Sequence, residues 1–147
     1  MKDLKNNIQV AVGITATLSG TTPAKGNIID RANYESITWV FQTGLVTDAG
    51  TAAGFSCEIQ ESDDTADANF TAVATADLIG AESDLTVTLD TADSVARGAI
   101  GYHGAKQYVR CVWTGTTGTD ATINGIVIKG HGTVVPVEAV AANIAAT

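Results

Sequence analysis

The stretch Gly101–Thr114, GYHGAKQYVRCVWT, constrains the fold more than any other part of the sequence. A Gly-rich turn leads into strict alternation. Val109, Cys111 and Trp113 fall on one face, and Tyr108, Arg110 and Val112 on the other. Wound into a helix, a period of two would scatter these apolar groups around the circumference. Carried by aromatic and β-branched residues, it fits a strand in the middle of a sheet. The same period recurs in Tyr34–Thr43, where Ile37, Trp39 and Phe41 point together, and in Phe55, Cys57 and Ile59. Trp39, Cys57, Val109, Cys111 and Trp113 are thus the expected anchors of the core.

Other segments fill out the pattern. Ile8, Val10, Val12 and Ile14 alternate with less apolar residues, which predicts a half-buried strand with all four on its inner face. Ile28–Asp30, Phe70–Ala74 and Leu85–Leu89 read as further short strands. Thr122–Lys129 is different. Ile126 and Ile128 share one face while Ile123 and Val127 share the other, which predicts burial on both sides. Turn clusters rich in Gly, Ser, Thr and Asp separate these runs. The result is an all-β, antiparallel chain of about eight short strands, at the spacing of a sandwich or barrel.

The 147 residues make one domain's worth of chain. Residues 1–7, polar and carrying Lys2 and Lys5, read as an N-terminal arm, and residues 8–132 as the β-domain. Residues 133–147 read as a C-terminal arm whose sole charge is Glu138. Val134, Val135, Val137 and Val140 in that arm call for an apolar surface, either on the chain's own sheet or on a neighbouring subunit. The N-terminus lacks the apolar core of a signal peptide, and no apolar run approaches the about 20 residues of a membrane helix. Both point to synthesis in the cytosol with no membrane partner.

The formal net charge is −8. From Glu58 through Asp93 there are ten carboxylates and no basic residue. A nucleic-acid partner would require the opposite charge. The acidic surface serves either solubility or attraction to a basic partner.

No constellation points to an enzyme. His103 and His131 each sit in a Gly-flanked stretch read as a turn, too isolated for a zinc site. Ser62, His103 and Asp63 could be written as a triad, but no nucleophile elbow supports it. Asp63, Asp64 and Asp67 lack the central Gly and closing Glu of a calcium loop. Cys57 and Cys111 read as small buried hydrophobes, with a single bridge as the alternative. Arg110 is expected to pair with a carboxylate on the next strand, such as Glu58, or else to meet a partner. No metal or other cofactor is expected.

Several phrases together resemble small structural proteins encoded beside the major capsid protein of tailed bacteriophages. Tyr34–Val40 resembles their "GYES-T" strand, and Ile59–Asp64 their "LQESDD" strand and turn. Phe70–Val73 followed by Ala76–Gly80 fits "F-DV…ADLIG". Gly101–Arg110 resembles "GYxGxKRYVRV", and Gly130–Gly132 followed by Val135–Val137 resembles "GHPxxAPV". The order is kept from about residue 8 to 137, with Gln107 in place of a basic residue and Gly132 in place of a proline. The resemblance implies a capsid decoration, or cement, protein: a jelly-roll-like sandwich, often a trimer, binding the major capsid protein on the outer head shell. The arms, through Lys2, Lys5, Val134, Val135, Val137 and Val140, would make the capsid or inter-subunit contacts. The alternatives are a carbohydrate-binding sandwich for host attachment, which would need exposed aromatics, and a tail or head–tail joining protein.

Overall fold

The computed structural model describes residues 4–132. Lys2 and the four valines Val134, Val135, Val137 and Val140 lie outside the described residues. Ten strands are present: β1 (Ile8–Ser19), β2 (Ala24–Lys25), β3 (Ile29–Asp30), β4 (Tyr34–Asp48), β5 (Ser56–Ser62), β6 (Thr71–Ala72), β7 (Leu78–Ile79), β8 (Ala96–Tyr102), β9 (Tyr108–Thr114) and β10 (Asp120–Gly132). They form two antiparallel sheets, β1-β10-β4-β8-β7 and β2-β9-β5-β6, with β3 also paired to β9. This is the expected all-β sandwich.

Between the sheets lies an aromatic centre. Phe41 of β4 meets Trp113 of β9 edge to face, with ring centroids 5.2 Å apart, and Phe55 packs on the same indole at 6.0 Å. Trp39, Val109, Cys111 and Trp113 are fully buried, and Cys57 nearly so. Both cysteines are free. Burial pushes each thiol well up, Cys111 to about 12, so neither is a thiolate at neutral pH. The alternation of β9 has the physical basis expected for it: β9 is central, held by β5 on one side and by β2 and β3 on the other.

Glycine lets the two sheets come close together beside β2. A side chain on Gly26 would fall 2.5 Å from the Gly13 carbonyl oxygen and 2.6 Å from Cys111 Sγ. Gly26 N–H donates to Cys111 O at 2.8 Å, and Asn27 N–H donates to Gly13 O at 2.7 Å. This single crossing stitches β9 to β1 and closes one side of the sandwich.

The structure corrects four sequence expectations. Gly101 lies within β8, opposite Thr38 and Ile79, rather than in a turn. Leu85–Leu89 is not a strand; a 3-10 turn spans Glu82–Leu85, and Val87 makes one isolated bridge to Phe55. The reason lies at the edge of β5. Ile59 N–H is taken by the Glu82 carboxylate at 2.6 Å, so a side chain accepts where a strand carbonyl would otherwise do so. Of Phe70–Ala74 only Thr71–Ala72 is extended and paired. His131 lies inside β10 at φ +52°, and the ladder continues past it, because Gly132 still pairs with Tyr34.

Candidate functional site

The basic side chains come first, because Lys106 and Arg110 stand out in an acidic chain. Arg110 is buried, at 5% exposure. It stands directly opposite Gln60 on β5, while Glu58 faces Val112. Register therefore denies Arg110 the expected pair with Glu58. Its Nε donates to Gln60 Oε1 at 2.9 Å, its Nη1 pairs with Asp67, and its guanidinium lies 4.2 Å from the Phe70 ring centroid. Gln60 in turn donates to Glu58 at 2.6 Å. Lys25 reaches the same Asp67 carboxylate at 2.6 Å, and Lys106 reaches Asp63 at 2.5 Å. Lys25 and Arg110 together hold the Asp67 carboxyl below its ordinary range, and Asp63 raises Lys106.

The acidic turn after β5 is therefore the counter-charge of three cations, and it is ordered from within. Asp64 accepts from Ala66 N–H and from Asn69 Nδ2, both at 2.8 Å. Ser62 is buried, and its Oγ accepts from Asp64 N–H at 3.1 Å. Ser62 thus serves the turn, while His103 is an exposed residue of the β8–β9 connection. Among the described residues, no group of three or more His, Cys, Asp or Glu side chains is placed to hold a metal ion.

That connection is built around Tyr102, whose ring lies in the core. Its hydroxyl donates to Glu61 Oε2 at 2.5 Å and accepts from Lys106 N–H at 3.0 Å. Burial, aided by the Glu61 carboxylate, pushes the phenol up to about 12. Gly104 lies flat on this ring, where a side chain would come within 2.7 Å of its carbons. Arg31 covers the other approach, donating to Gly104 O with its guanidinium 5.4 Å from the ring centroid.

The remaining distinctive surface is the outer face of the larger sheet. It arises from a bulge. The β1–β10 register shifts between Val12 and Ile14, so Ile14 turns inward while Val10 and Val12 turn out, 42% and 49% exposed. Gly13 sits at the shift because a side chain there would press on Val127 at 3.0 Å and Trp39 at 3.2 Å. The expectation that Ile8, Val10, Val12 and Ile14 share one inner face is therefore corrected: a one-residue offset reverses the phase.

Cross-strand pairing extends this face over the whole sheet. Val10 stands opposite Ile128, which stands opposite Thr38; Thr38 faces Gly101, and Gly101 faces Ile79. The next row runs Val12, Ile126, Val40, Ala99. The row on the other side runs Ile8, Gly130, Ser36. None of these positions carries a charge. Ile126 is 45% exposed and Ile79 65% exposed. Ile128 and Val40 are half-buried. At the end where β10 finishes, a cleft of about 360 Å³ opens among Ile8, Ser36, Ile128 and His131.

The solvent face of an antiparallel sheet is ordinarily polar, as it is on the smaller sheet with Lys25, Glu58 and Gln60. The two-sided apolar pattern of β10 was the sequence signal for this surface. The pattern foretold a second cover, but the described residues supply only the inner one. Lys5, the other expected contact residue, is exposed just ahead of β1.

Aromatic side chains are absent from this surface. Trp39, Trp113 and Tyr102 are in the core, Tyr34 and Tyr108 are half-buried, and no Trp, Tyr or Phe among the described residues is exposed. No helix of the described residues is long and apolar enough to cross a membrane.

No protein-family model and no curated protein matches the chain. Among solved structures, the fold is similar to the crystal structure of the PBSX exported protein XepA, with a TM-score of 0.52 and 16% sequence identity over 85% of this chain. The match spans 38% of the XepA chain. At that identity the likeness is one of fold.

Proposed function

We propose that this chain is a structural protein of a tailed-phage virion that binds the outer head shell and reinforces it. The observation that carries the reading is the charge-free apolar face on an otherwise strongly acidic domain. Such a face on a free subunit marks a surface to be covered in an assembly. A two-sheet sandwich whose buried basic group Arg110 is paired internally suits that work. The ordered phrases that resemble those of capsid-associated proteins suggest the phage context. The fold's likeness to the PBSX exported protein XepA is compatible with it. In this reading the major capsid protein is the partner, the working form is a homo-oligomer such as a trimer, and the site of action is the virion surface. Attachment stabilises the shell by mass action, because the protein binds the assembled state alone. A sugar-binding role would need exposed aromatic platforms, which the described residues lack.

The test is to add the purified chain to phage heads lacking it and image them by electron cryo-microscopy. Regular density on the outer shell and a raised temperature of head rupture are expected. Density confined to the tail or neck, or no binding with the rupture temperature unchanged, would refute the reading.

A further inference from the structure

We propose that the apolar outer face of the larger sheet is covered by residues 133–147 of a second copy of this chain. The inference rests on reading the chain as an assembly subunit, but its test needs no capsid, so the two readings can fail separately.

Two unmet needs point to each other. The face presents Val10, Val12, Ile126 and Ile79 to solvent. The 15 residues beyond Gly132 carry one charge, Glu138, and are rich in valine and alanine. Fully extended they span up to about 50 Å, whereas five strands side by side are about 19 Å wide. The segment is therefore long enough to leave one subunit and cross the face of another.

The direction of β10 selects a neighbour over the segment's own sheet. Along β10 the chain runs from Ile126 through Ile128 to Gly132, away from the apolar rows, and it is still paired to Tyr34 at its last described residue. Covering its own face would require the chain to reverse, whereas covering a neighbour's does not. By sequence, Thr133, Val134 and Val135 are β-branched residues, a type that favours extended backbone, and a residue that precedes proline, as Val135 does, disfavours the helical region. Charge agrees: two copies of an acidic chain repel, and a nearly neutral segment meeting a charge-free face avoids that cost. Tail-to-face contact is heterologous, so it closes into a ring when the rotation permits.

The test uses the full chain with Ile126→Cys at the centre of the face. The native Cys57 and Cys111 are buried and do not compete for reagent. Labelling by a water-soluble maleimide is followed across a dilution series. At high concentration labelling is expected to be about tenfold slower than in the dilute limit, as when nine-tenths of the faces are occupied. Adding Val135→Asp and Val137→Asp is expected to restore fast labelling at every concentration, with the near-ultraviolet circular dichroism of the buried tryptophans unchanged. Mixing Ile126→Cys with Val137→Cys protein under oxidation is expected to give a disulfide-linked heterodimer. Protection that persists at every dilution would assign the cover to the chain's own segment and overturn the proposal. Protection that survives the two aspartates would assign it to face-to-face pairing and do the same. Equal labelling at all concentrations would also overturn it.

Discussion

Replacing Thr43 with valine isolates one buried hydroxyl at nearly constant volume. Thr43 lies in β4 with no exposed surface. Its Oγ1 donates to Ala92 O at 2.5 Å and accepts from Val95 N–H at 3.0 Å. The two bonds pin the segment before β8 to the larger sheet. Thr43 N–H adds a backbone bond to Val95 O at 3.0 Å, which the substitution leaves in place. Valine strands the Ala92 carbonyl, whose residue is buried, and costs about 1–3 kcal/mol for that acceptor alone. The Val95 N–H belongs to a partly exposed residue and can recruit water, so its loss adds less. The total expected is about 2–3 kcal/mol, equivalent to roughly 5–10 °C in Tm for a domain of this size. Urea unfolding followed by tryptophan fluorescence measures it. Thr43→Ser is the control: it keeps both bonds and loses one methyl, so it is expected to cost about 1 kcal/mol. If valine costs under about 0.5 kcal/mol, or less than serine, packing governs this site and the hydrogen-bond reasoning is wrong.

Two further outcomes follow from the geometry. The Asp67 carboxyl titrates below its ordinary value because Lys25 and Arg110 favour its charged form. Its contribution is therefore present above the unfolded pKa and is lost as pH falls through the lowered folded pKa. Asp67→Asn is expected to be less stable than the native chain at neutral pH, with the gap closing in acid below the usual carboxylate range and shrinking in high salt. A gap independent of both pH and salt would contradict this. Gly125→Ala would place a methyl 2.6 Å from Phe41 Cδ1, and Phe41 is wedged against Trp113 and cannot yield. About 1–3 kcal/mol of destabilisation is expected, read as a lower urea midpoint. An unchanged midpoint would mean the ring has room to move.

Strand identity was legible wherever a strand is buried on one side and paired on both. β4 meets that condition, and the central β9, though buried on both faces, keeps its polar Arg110 off the core side; their alternation placed Trp39, Phe41, Cys111 and Trp113 correctly. Legibility failed where a single local event outweighs the pattern. The offset at Gly13 is set by contact with Trp39 and Val127, residues far away in sequence. The Glu82 carboxylate replaces a strand at the edge of β5, and nothing in the period of Leu85–Leu89 announces that. Arg110 was rightly read as paired, but its partner depends on register, which puts Gln60 opposite it and brings Asp67 in from a turn. The outer face was half legible. The twofold apolar character of β10 showed in the sequence, whereas which of its sides is left uncovered depends on how the sheets stack.

The offset within β1 has an evolutionary consequence. Its first half, Ile8–Val12, contributes to the outer surface, and its second half, Ile14–Leu18, contributes to the core. One continuous hydrogen-bonded ladder thus carries two separately selectable sets of apolar side chains. Variation at Val10 or Val12 changes the exposed surface and leaves the packing around Ile14 and Leu18 untouched. Surface and core can therefore diverge separately along a single strand.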